Sequence, residues 1–154
     1  MNSIITLCLM ANAACGNSPL FNHTYPIRSQ EKVAIESENA LTCKFEFQSH
    51  TLCADYIWVK EPQGSDEGEM KVYFWHKDQP GVFTSLSDLQ LGVKLWMPDM
   101  GHGSQKVKVS SLETGVYDAS EIMFVMGGEW EIQFQLKDNS GKVIEMQKTT
   151  YQAH

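Results

Sequence analysis

Beyond residue 40, hydrophobic and polar residues alternate with a period of two through most of the chain, which is the pattern of half-buried β-strands. Leu41, Cys43, Phe45 and Phe47 alternate with Thr42, Lys44 and Glu46, and predict a first strand. After a polar turn at residues 48 to 51, a second run covers Leu52 to Val59, with Tyr56 and Trp58 inside it. The stretch from Glu61 to Gly68 reads as a loop, rich in Gly, Pro and charge. Met70, Val72 and Phe74 open the next strand, which runs into His76 and breaks at Pro80-Gly81. Leu89, Leu91, Val93, Leu95 and Met97 give the longest clean alternation. Val107 and Val109 predict a short strand, and Val116, Tyr117 and Ala119 follow a turn at Thr114-Gly115. Ile122, Phe124 and Met126 alternate up to Gly127-Gly128, and Trp130, Ile132, Phe134 and Leu136 alternate after it. Asp138-Asn139-Ser140-Gly141 is a hairpin signal leading into residues 143 to 149. No window shows a helical period. Seven to nine short antiparallel strands, with turns about every eight to twelve residues, predict an all-β fold, an immunoglobulin-like β-sandwich spanning residues 39 to 154.

Composition agrees with one such domain. The chain has 154 residues, 42% hydrophobic and 20% charged, and a domain of about that length buries roughly 68–70% of its unfolded surface. A net charge of −7, with no cluster of Lys or Arg along the sequence, argues against nucleic acid and anionic membrane surfaces as partners.

The first fifteen residues differ in character. Ile4, Ile5, Leu7, Cys8, Leu9, Met10 and Ala11 form an apolar run too short for a membrane span, but suited to an export signal. Ala11-Asn12-Ala13 fits ordinary signal cleavage. Ala13-Ala14-Cys15-Gly16 resembles the lipobox of bacterial lipoproteins, with Asn12 where that pattern has an apolar residue. Lipidation of Cys15 would explain an otherwise odd cysteine outside the cytoplasm. A lipid-anchored protein on the outer face of a membrane and a soluble periplasmic protein both follow from this segment. Residues 16 to 38 are polar and aperiodic, as expected of a tether. Cys43 and Cys53 flank the first turn; neighbouring antiparallel strands would bring them within disulfide reach, and two buried free thiols are the alternative.

The chemistry-bearing stretch is Trp96-Met97-Pro98-Asp99-Met100-Gly101-His102-Gly103-Ser104. Two thioethers and an imidazole in a Pro/Gly turn suit Cu(I) better than hard cations. Met97 shares parity with Leu89 to Leu95, and Met126 with Ile122 and Phe124, so both also read as core residues. Met100 and His102 fall beyond the strand among glycines, where packing explains them less well. A site would therefore pair His102 with Met100 and be completed by Met97 or Met126. No nucleophile elbow, phosphate loop, H-E-x-x-H or C-x-x-C occurs, and no paired acid and base stands out, which argues against an enzyme. Trp58, Trp75 and Trp96 would be the place to look for a carbohydrate-binding face.

From about Leu91 to Leu136 the chain resembles the YtkA-like/FixH-like family of bacterial envelope domains. The residues that carry this are Met97-Pro98-x-Met100-Gly101-His102, then Gly115-Val116-Tyr117, then Met126-Gly127-Gly128-Glu129-Trp130. FixH-like members carry a full transmembrane helix, and no stretch here is long and apolar enough for one. The resemblance implies an immunoglobulin-like sandwich, anchored in the envelope and linked to copper handling, in haem–copper oxidase assembly or copper tolerance. Its partner would be a membrane complex such as a respiratory oxidase. The alternative is a metal-free interaction module docking on such a complex.

Overall fold

A computed structural model describes residues 41–154. The export signal, the lipidation of Cys15 and the tether lie outside the described residues. Nine strands follow in order: β1 (Phe45–Phe47), β2 (Leu52–Lys60), β3 (Gly68–His76), β4 (Gln90–Met97), β5 (His102–Gly103), β6 (Lys108–Glu113), β7 (Val116–Ile122), β8 (Gly128–Lys137) and β9 (Val143–Ala153). They form two antiparallel sheets, a five-stranded one in the order β1-β2-β3-β7-β6 and a four-stranded one in the order β5-β4-β8-β9. This is the all-β sandwich that the alternation predicts. Among the described residues, no helix is long and apolar enough to cross a membrane.

Period-two alternation fixes which side chains meet between the sheets. From the five-stranded sheet, Phe47, Met70, Val72, Phe74 and Ile122 point inward; from the other, Leu95, Trp130, Ile132, Phe134 and Leu136 do so, and all are sealed from solvent. Burying each such side chain is worth about 1.5–3 kcal/mol. Phe45 and Tyr56 lie against Phe134, with ring centroids 4.7 and 5.4 Å away, so aromatics from both sheets interlock at the centre.

The first strand is shorter than its alternation suggests. The Thr42 N–H and hydroxyl donate to the Asp55 carboxylate at 2.9 and 3.2 Å. That side chain takes the donor a ladder carbonyl would otherwise accept, so residues 41 to 44 stay outside the ladder. Cys43 and Cys53 are joined by a disulfide, with Cα atoms 5.0 Å apart. Cys53 faces away from the main core, opposite Trp75 in the register. Phe83 bridges to Trp75 and stacks near Tyr73, with centroids 5.3 Å apart, so a smaller apolar cluster covers the outer face of this sheet. Further on, the segment after β3 turns to the main core, where Leu86 is buried and its N–H donates to the Tyr117 hydroxyl at 3.0 Å. Gly115 makes the close approach possible: its φ is +68°, and a Cβ would stand 2.5 Å from the Thr84 nitrogen.

Candidate metal site

The candidate ligands gather at one end of the four-stranded sheet. Met97 ends β4, and the turn after it closes when the Gly101 N–H donates to the Met97 carbonyl at 2.9 Å. Gly101 takes φ +65°, in the left-handed region that glycine tolerates. The chain then returns as β5, which pairs Met97 with His102 and Trp96 with Gly103. Residues directly opposite in an antiparallel pair project from the same face. The His102 side chain therefore lies on the Met97 side, toward the core, and its ring meets Trp130 edge-on with centroids 5.9 Å apart. The sequence reading leaves His102 in a turn; the two-residue strand is what brings it alongside Met97.

The imidazole is half-buried, and its Nδ1 lies 3.1 Å from the Gly103 carbonyl. A carbonyl only accepts, so this bond holds the proton on Nδ1 and leaves the Nε2 lone pair free. Outer bonds of this kind commonly orient metal-ligating histidines.

The methionines differ sharply. Met97 is 7% exposed, and its methyl group stands 2.5 Å from where a Cβ on Gly128 would be, so glycine there makes room for it. Met100 is 59% exposed, in the turn itself. Met126 is 42% exposed, a correction to the inward parity expected from Ile122 and Phe124. The alternation holds through Ile122 and Phe124 and fails at Met126 because β7 ends at Ile122 and residues 125 to 127 form a bend. Met126 is nonetheless tied to the rim, for its carbonyl accepts the Trp130 indole N–H at 3.0 Å. Met97 and His102 thus share one register position beside Trp130, Met126 is linked to that same tryptophan through its backbone, and Met100 sits in the connecting turn.

Thioethers and an imidazole with a free Nε2 fit a soft monovalent ion. Among the described residues, no three His, Cys, Asp or Glu side chains converge to hold a harder one. His50 and His76 are exposed, in the turn before β2 and at the end of β3; His154 is exposed too, and its backbone runs beside this rim, 4.0 Å from where a Cβ on Gly127 would stand. The three tryptophans considered for a glycan do not share a face. Trp75 is buried and bridges to Phe83 through its backbone, Trp58 packs on Tyr151 at 5.7 Å, and Trp96 lies under the Lys94 ammonium at 4.3 Å.

A second surface escapes sequence inspection altogether. Between the edges of β4 and β6 lies a groove of about 800 Å³, with Lys94, Lys106, Lys108 and Lys137 on its walls and Glu121 as its one acidic group. These lysines come from β4, the segment before β6, β6 and β8, so no linear cluster announces them. Their signal is topological: β4 and β6 are neighbouring sheet edges.

The fold and this rim define an all-β sandwich domain with a methionine- and histidine-bearing corner. The family model described as YtkA-like matches residues 59–135, half of the chain, and the chain belongs to that family. The matched span runs from late β2 into β8 and contains Met97, Met100, His102 and Met126, but neither half-cystine. Membership suggests an envelope-associated domain, and the family is not known for enzymatic activity. No curated protein matches the chain significantly.

Proposed function

We propose that this protein is a non-enzymatic β-sandwich of the bacterial envelope, in the periplasm or lipid-anchored on the outer face of a membrane. There it binds Cu(I) as cargo and passes it to a membrane complex, in haem–copper oxidase assembly or in copper tolerance. The observation that carries the reading is the Nδ1 bond of His102, which leaves Nε2 as a donor directly across the ladder from Met97. His102 and Met100 would be the principal ligands, completed by Met97 or Met126. Exposed thioethers at a rim suit transfer, since a partner's ligands can reach an ion held there.

The test is a Cu(I) titration against a chromophoric competitor, on the full chain carrying Cys8→Ser and Cys15→Ser, because free thiols would mask weaker ligands. A Met100→Ala/His102→Ala pair in the same background should lower affinity by at least about tenfold, the lower end of what losing even supporting residues costs a metal site. Equal affinity before and after the substitution would refute the proposal.

A further inference from the structure

We infer that the groove between β4 and β6 is a docking site for an extended acidic segment of a partner protein, which adds to the four-stranded sheet along β4. This gives the interaction-module reading a surface and a class of partner, and it does not depend on copper.

The first observation is a free strand edge. The Leu95 and Met97 carbonyls point toward β5, because they accept the Ser104 and Gly101 N–H groups. Alternation along an antiparallel strand turns the N–H and C=O of Val93 and Leu91 the same way. β5 pairs only with Trp96 and Met97, so among the described residues these four backbone groups have no strand partner. They open onto the groove, whose walls include both residues. An exposed edge of this kind is a template for an added strand unless it is covered or charged.

The second observation is charge. Four lysines face one glutamate here, on a chain whose net charge is −7. Lys108 is 3.9 Å from Glu121 in an exposed pair, which is worth little. Lys137 lies flat across Gly92, where a Cβ would stand 2.6 Å from its Nζ, so the missing side chain lets this ammonium reach toward the groove. Lysines along an edge repel another basic edge and lose hydration against a neutral one, and so discourage self-association. The same charges attract an acidic strand and speed its approach.

The experiment uses the full chain and a labelled acetyl-(Glu-Val)4-amide peptide, with an acetyl-(Lys-Val)4-amide control, in the presence of a copper chelator. The acidic peptide should bind, and its affinity should fall by about tenfold or more on adding salt or on introducing Lys106→Glu/Lys108→Glu. Amide resonances of Leu91 and Val93 should shift and gain protection from hydrogen exchange. Gly92→Ala, which displaces only the end of Lys137, should weaken binding by a smaller factor. No binding, binding indifferent to the charge reversal, or binding that leaves those two amides unmoved would overturn the inference. Equal binding of inorganic polyphosphate in place of the peptide would overturn it too, since that polymer cannot complete a strand ladder.

Discussion

At the seam between β1 and β9, side chains of one sheet stitch to the backbone of the other; at the seam between β4 and β6, the bonds that cross come from the connector after β5. There the Ser104 hydroxyl donates to the Met123 carbonyl and the Gln105 amide to the Glu121 carbonyl at 3.5 Å, and among the described residues no side-chain hydrogen bond reaches β4 itself. Glu145 of β9 accepts the Gln48 and Ser49 N–H groups, the former at 2.7 Å, and also the Ser49 hydroxyl. Two residues on, the Gln147 amide donates to the Glu46 carbonyl at 2.8 Å. Burial alone would raise the Glu145 carboxyl, but the Ser49 hydroxyl and the two N–H groups together outweigh it and hold the group below its ordinary value. The other seam keeps its charges exposed and its strand edge free. The seam sewn along its strands holds the core, and the stretch of β4 beyond the Ser104 and Gln105 bonds stays available for contact.

The comparison breaks most severely if β1 is released. Reducing the disulfide, or replacing Cys43 and Cys53 with Ala, should cost about 2–4 kcal/mol, measured by denaturant unfolding. It should also speed hydrogen exchange at β1 and at the β9 residues facing it, while the β4 to β8 ladder keeps its protection. Gly128→Ala should cost about 1–3 kcal/mol by forcing Met97 aside, and would show whether the rim tolerates a displaced thioether. Glu145→Ala removes the acceptor of two exposed N–H groups and the Ser49 hydroxyl, which water can then meet, and should cost about 0.5–1.5 kcal/mol. Acid should do the same reversibly. Because the folded carboxyl is lowered, its contribution is complete above the unfolded value and is lost as pH falls through the folded one. The wild-type stability curve should therefore lose part of its acid slope in Glu145→Gln. Least of all, Lys106→Gln/Lys108→Gln should change stability by under about 0.5 kcal/mol, since these lysines are exposed. A large loss there would mean that the open seam is structural after all.

Much of this architecture is legible in the sequence because parity is a local signal. Leu91 to Met97 and Trp130 to Leu136 alternate cleanly, and each became a strand with the same residues inward. Legibility fails where a backbone or side chain breaks the period. Cys43 continues the alternation of β1, yet Asp55 captures the adjacent N–H. Met126 continues that of Ile122 and Phe124, yet it falls in a bend at residues 125 to 127, where no ladder keeps the period. At the candidate site, the residue types in the turn after β4 were readable as soft ligands. That His102 returns as a two-residue strand opposite Met97 was not, for so short a run has no period. The groove lysines illustrate the same limit in another form, being assembled from four separated segments by strand order alone.

The disulfide also decides how the domain bears force. Tension applied at residue 41 passes at Cys43 through sulfur to Cys53 in β2. The intervening loop, β1 included, is thereby taken off the load path. Under reducing conditions that shunt is gone, and full extension of the loop should release about 30 Å of additional contour. Oxidation thus fixes where mechanical failure starts: in β2 and its ladder to β3, with β1 shielded until the covalent link is cut.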